Sequence, residues 1–220
     1  MVFNEFIEKI SEEDKMNFCK YSKIRGRQQY VIIYETLNKI DKNVSYNDVN
    51  AFIKYDKAIK DVLYKYLGTL EESIKTFIFE NYDFENGTKL NKEYRYFENL
   101  PKLCKKQNGE EITELYKRFS LSFGEIVKLL KKYEKNNFNC SSLDKVVKLR
   151  NKVMHHRLLL FTCKFESDFD WINDGINNLV DNLPDNYKIG ILTDLNKKTI
   201  ATKENINPNY QCCLLLLEEK

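Results

Sequence analysis

Arg150-Asn151-Lys152-Val153-Met154-His155-His156 holds both histidines of the chain, with an arginine five residues before the first of them. Arginine keeps its charge at any ordinary pH and presents a planar fork of donors that matches phosphate oxygens. An imidazole titrates near neutrality and can give or take a proton. Together these groups suit phosphodiester chemistry, one moving protons and the other stabilising charge on phosphorus. With no histidine elsewhere, any imidazole chemistry rests on this segment.

The spacing around the segment predicts a helix that is capped by Ser141-Ser142-Leu143-Asp144 and runs to about residue 165. At about 100° per residue, with Arg150 at zero, Leu143, Val146, Val147, Val153, Met154 and Phe161 fall within roughly 60° of it. Arg150 therefore stands in the middle of an apolar stripe, with Arg157 almost directly above it. A buried guanidinium must meet a carboxylate, an anion or a water-filled cleft. Asn151 and His155 are four apart and share the edge of the stripe, about 100° to 140° round from Arg150, while His156 points elsewhere. One straight helix does not clamp Arg150 and His155 onto a single small ligand, but two copies facing across a groove would. A buried arginine paired to a core carboxylate, beside an ordinary surface histidine, fits the same geometry.

The elements that must position this segment are also helical. Residues 5 to 40 predict one or two helices with a turn near Arg25-Gly26-Arg27, the second carrying Tyr30, Ile33, Tyr34 and Leu37. Ser45-Tyr46-Asn47-Asp48 has the form of a capping box. It opens the longest element, in which Phe52, Tyr55, Ile59, Leu63, Tyr66, Leu70, Ile74 and Phe77 recur at steps of three and four until about Tyr82. A polar stretch extends from there to about Gly109, then helix over Ile112 to Phe119 and again from Ser122 through Ile126, Leu129, Leu130 and Tyr133. Phe169, Ile172, Ile176, Leu179 and Leu183 mark a last amphipathic helix before Pro184. Consecutive helices on short connections predict an all-α antiparallel bundle over residues 1–184. In residues 185–220 the pattern changes. Ile189, Ile191 and Leu192 make a short β-like run and Cys212 to Leu217 a compact apolar one. This appendage is expected to pack on the bundle, form a small hairpin or complete a dimer interface.

The 220 residues are 42% hydrophobic and 31% charged, with 7 Gly and 3 Pro, a composition of a helix-rich globule large enough to bury a core without disulfides. A formal net charge of +3 does not by itself announce nucleic-acid binding, so a basic site must be local. Lys20, Lys23, Arg25 and Arg27 form one candidate cluster; Lys145, Lys148, Arg150, Lys152 and Arg157 form the other. Six cysteines, without a CxxC or a histidine at zinc-ligand spacing, give no structural zinc site and predict free thiols in a reducing cytoplasm. No signal peptide, membrane span, metal or cofactor is expected.

The Arg150–His156 run resembles the R-x4-H motif of HEPN-superfamily ribonucleases, in the RNxxxHH form of abortive-infection Abi-like proteins, relatives of the HEPN domains in RNA-guided RNA-cleaving CRISPR effectors. Leu121 to Tyr133, LSFGEIVKLLKKY, is similar to the FG-containing helix start that precedes the motif there, and Leu67 to Tyr82, LGTLEESIKTFIFENY, to an earlier long helix with an internal acidic residue. The likeness covers about Lys20 to Phe165. It implies a HEPN-like bundle in which Arg150 and His155 are the catalytic pair, with Asn151 in the polar position after the arginine. Glu71 and His156 would support them, and Lys148, Lys152 and Arg157 would bind RNA. Glu71, at the border of its helix's apolar face, would reach across to Arg150. Two departures stand out. Arg157 occupies the place where HEPN toxins paired with a nucleotidyltransferase carry tyrosine, which argues against that subclass. Lys75 stands where an arginine commonly comes after the acidic residue.

The family implies metal-independent RNA cleavage in antiphage defence by attack of the ribose 2′-hydroxyl, at a site shared by a homodimer, with cyclic phosphate and 5′-hydroxyl products. A HEPN-like module that holds a noncoding RNA or a partner protein without cutting, or a purely structural bundle in a defence complex, is the competing expectation.

Overall fold

A computed structural model of the chain describes residues 3–81, 122–131, 137–161 and 167–215. The expected helix over Ile112 to Phe119 and the polar stretch before it lie outside these residues. The described part is helical, with no strand among the described residues. Helices α1 (Phe3–Lys9), α2 (Glu12–Arg25) and α3 (Arg27–Ile40) lead into α4 (Tyr46–Asn81); then come α5 (Phe123–Leu130), α6 (Leu143–Met154), α7 (Ser167–Asn182), α8 (Asp185–Lys203) and a 3-10 turn over Pro208–Cys213.

Local chemistry explains the boundaries. Gly26, at φ 87, separates α2 from α3 in a conformation that side chains resist. At the start of α4 the Asp48 amide donates to Ser45 Oγ at 3.1 Å and the Ser45 amide to Asp48 Oδ2 at 2.8 Å, a reciprocal cap formed with aspartate. Ser122 and Glu125 do the same for α5. Ser142 precedes α6 without a side-chain cap; its hydroxyl bonds the Asn139 carbonyl at 2.8 Å instead.

The 36-residue α4 is the spine of the molecule. Its apolar residues, with Tyr30, Ile33 and Leu37 of α3, Phe123 and Ile126 of α5, Leu143, Val146, Leu149 and Val153 of α6, and Ile172, Ile176 and Leu179 of α7, form one buried cluster. From Arg150 of α6 to Leu160 beyond its end, the chain runs antiparallel to α4, since Arg150 meets Glu71 whereas Leu160, ten residues on, meets Asp56. α6 and α7 approach closely because Gly175 lies against Leu149: a Cβ there would stand 3.3 Å from two Leu149 carbons.

Three expectations need correction. Residues 5–40, expected as one or two helices, belong to three, because Ser11 starts a new helix with its side chain accepting from the Asp14 amide. The helix carrying the motif ends at Met154 and does not continue to about 165. The β-like run at Ile189–Leu192 is helix, part of the 19-residue α8, which starts directly after Pro184. Residues 185–215 pack on the bundle. Ile191 and Leu195 join the core, Tyr66 Oη donates to Asp194 at 2.8 Å, and the Leu215 amide donates to Tyr55 Oη at 3.2 Å.

Candidate functional site

Arg150 projects from α6 toward α4, where its Nη2 lies 3.2 Å from Glu71 Oε2. The other carboxylate oxygen, Oε1, takes the Lys75 ammonium at 2.9 Å, one helical turn further along α4. Glu71 therefore serves two cations at once. Its side chain is 15% exposed and that of Arg150 23%, so the charges meet at the rim of the core, where water screens them only in part. The Arg150 Nε–H is buried and has no partner among the described residues. A guanidinium has five N–H donors and this one directs a single Nη2 contact to the carboxylate, leaving donor capacity at the rim.

Past Arg150, the chain leaves the helix in a defined way. The His155 amide still donates to the Asn151 carbonyl at 3.1 Å, so the helical relation of Asn151 to His155 survives in the backbone. The next residue, His156, adopts φ 51. Its amide bonds the Val153 carbonyl at 3.0 Å and the Arg157 amide bonds the Lys152 carbonyl at 3.0 Å, the paired bonds of a Schellman C-cap with histidine in the place usually held by glycine. Arg157 consequently does not stack above Arg150 along a continuing helix. Asn151, His155, His156 and Arg157 are all exposed, as is Lys148. Lys152, half-buried, holds its ammonium 4.6 Å from the ring centre of Trp171 on α7, the only tryptophan of the chain.

A buried network fixes the segment immediately after the motif, and sequence reasoning missed it. Asp56 is 1% exposed; its Oδ1 accepts the Leu159 and Leu160 amides at 2.7 and 3.0 Å, and its Oδ2 meets Lys60 Nζ at 2.5 Å. Lys60 also donates to the Arg157 carbonyl at 3.3 Å. Backbone amides buried without partners would be costly, and the carboxylate satisfies two of them where the chain has left the helix. The signal was available: Asp56, four residues from both Phe52 and Lys60, falls on the apolar face of α4, where an unpaired carboxylate could not remain.

The structure thus brings together Arg150, Glu71 and Lys75, while Asn151 and His155 are exposed at the end of α6. An open cleft of about 540 Å³ lies elsewhere, between α4 and α8, lined by Asn50, Lys54, Lys198 and Thr202 among others and by none of the motif residues. No protein-family model, curated protein or solved structure matches this chain.

Proposed function

We propose that this chain is a metal-independent endoribonuclease of the HEPN type, acting in the cytoplasm in antiphage defence. The observation that carries the proposal is the Glu71–Arg150 contact: a half-buried guanidinium oriented by a carboxylate from the neighbouring helix, one turn before an exposed histidine. A surface arginine loses side-chain freedom when it binds a phosphate; one held by Glu71 has lost part of it already.

In the reaction, the ribose 2′-oxygen bonds to the adjacent phosphorus as its proton passes to an imidazole, and the bond to the departing 5′-oxygen breaks as that oxygen gains a proton. An imidazole is suited to this transfer, and His155 supplies an exposed one. The free donors of Arg150 stabilise the charge that builds on the phosphoryl oxygens, and Asn151 orients either an oxygen or the imidazole. A single His155 cannot stand on both sides of the phosphorus. A homodimer with the motif turns facing across a groove supplies the second imidazole, one copy acting as base and the other as acid.

The test is cleavage of a labelled RNA by the full chain in the presence of a chelator, with analysis of the product ends. Fragments carrying 2′,3′-cyclic phosphate are expected, with Arg150→Ala and His155→Ala each lowering the rate by about a hundredfold or more. Equal rates for wild type and variants would overturn the assignment, and full activity in a strictly monomeric protein would overturn the shared site. One observation favours a second reading. Glu71 already offsets the charge on Arg150, which weakens its pull on a developing phosphorane and suits a module that holds a noncoding RNA without cutting it. Tight RNA binding with no cleavage by the wild type would favour that reading.

A further inference from the structure

Two contacts pin the motif segment against α4. Arg150 Nη2 meets Glu71 Oε2 at 3.2 Å, and Lys60 Nζ meets the Arg157 carbonyl at 3.3 Å. Residues 150–157 and residues 60–71 of α4 therefore run side by side in opposite directions between these anchors. On α4, with Lys60 at zero, Glu71 falls at about 20°, Tyr64 at about 40° and Gly68 at about 80°. Leu67 and Asp56, on the other side of Lys60, are buried. Tyr64 and Gly68 thus lie, with exposed Lys57 and Asp61, on the solvent side of the α4 face that Lys60 and Glu71 tie to the motif segment.

Tyr64 and Gly68 stand out among these. Tyr64 is a large aromatic side chain exposed at 56%, whereas Met16, Ile24, Ile189 and Ile200, which are also exposed, carry no ring. One turn away, Gly68 leaves open space: a Cβ built there has nothing within 4 Å. On α6, exposed Asn151 follows Arg150 directly and half-buried Met154 comes one turn after it, and the Arg150–Glu71 ion pair ties this part of α6 to the same face of α4. An aromatic face that water wets, near a guanidinium whose charge a carboxylate offsets only in part, an amide and an open glycine, has the parts of a nucleotide subsite. Aromatic faces stack any base, and a bare backbone lets a phosphate approach closely.

We infer that Tyr64 is the platform on which an unpaired nucleobase stacks, with the adjoining phosphate over Gly68 and within reach of Arg150 and Asn151. The inference rests on the RNA-directed function proposed above and names the residue through which that site grips a base. Tyr64 acts by the face of its ring, so Phe or Trp replaces it and Ala does not.

The experiment measures binding of a fluorescein-labelled oligouridylate to the full chain by anisotropy, with cleavage blocked by His155→Ala in every protein compared. Tyr64→Ala is expected to weaken binding about ten-fold. Tyr64→Phe and Tyr64→Trp should stay within about two-fold of the parent, and a duplex of the same strand with oligoadenylate should show no dependence on position 64. Thermal melting of the three variants should match the parent, since the side chain is exposed. If the parent binds and Tyr64→Ala binds equally well, the platform is overturned while the RNA-directed function stands. If Phe fails as Ala does, the hydroxyl and not the ring is responsible, and the platform is again overturned. If the parent binds no RNA, both proposals fall together.

Discussion

Glu71 gives the residue scale its clearest case, because one carboxylate holds Arg150 and Lys75 together. Removing it leaves two partly desolvated cations facing each other, a cost of about 1–3 kcal/mol on the scale of a lost charged partner. Glu71→Ala should therefore lower the thermal midpoint, and Glu71→Gln, which keeps an acceptor for one of the two, should lower it less. Melting of Arg150→Met and of the double variant with Glu71→Ala checks whether the pair is responsible: the two losses should fall short of additive, as expected for residues in contact. Additive losses would show that Glu71 and Arg150 stabilise the fold independently. The sequence was legible in part here: an arginine amid Val146, Val153 and Met154 needed a carboxylate, an anion or a water-filled cleft, and it was the family resemblance that singled out Glu71, at the edge of its helix's apolar face. Asp56 was not read, although the same logic applies to it. Its partners are the Leu159 and Leu160 amides, and backbone donors exposed by the end of a helix carry no sequence label.

At the element scale, the end of α6 shows why a boundary can hide. Leu158 to Phe161 continue a helical spacing, and the signal that usually stops a helix, a glycine, is absent. What stops α6 is the left-handed backbone at His156, a conformation that costs a non-glycine residue on the order of 1–2 kcal/mol. His156→Gly should remove that cost and raise the thermal midpoint, while His156→Val, branched at Cβ, should lower it. RNA cleavage by His156→Gly should match the wild type if the residue serves only as a cap. A loss of cleavage with raised stability would instead give the second imidazole a direct part in the chemistry. The other misread element, α8, has the opposite cause. Ile191 and Leu195 face α4 at helical spacing, but Ile189 and Ile200 point to solvent at 79% and 61% exposure and blur the pattern into an apolar run. The contacts with Tyr66 and Tyr55 mark the buried face.

At the scale of the whole molecule, the C-terminal segment closes the core through tyrosines. Tyr55 accepts the Leu215 amide and shares a hydrogen bond with Thr199, Tyr66 binds Asp194, and Tyr210 is fully buried. Helical bundle and core were legible because periodicity survives in a long helix such as α4; the seating of residues 185–215 was not, because it depends on hydroxyls and amides that meet across more than a hundred residues. Two buried tyrosines, Tyr210 and Tyr46, are expected to set the alkaline limit of the fold. Burial raises the phenol of Tyr210 to about 12, reinforced by the negative charges of Asp41 and Asp48, and burial raises Tyr46 to about 12, with Tyr30 and Asp14 adding to it. In the unfolded chain a tyrosine releases its proton near 10. The folded state therefore holds protons that the unfolded state gives up, so the stability from these phenols is whole below pH 10 and is lost as the pH climbs toward 12. Ultraviolet titration of tyrosinate should show a late fraction that ionises well above pH 10, rising together with the loss of helical circular dichroism. Replacing Tyr210 with Phe should shrink the late fraction by one residue and extend the helical range upward. A single transition near 10 with helix retained would mean that residues 208–215 do not seal this part of the core in solution.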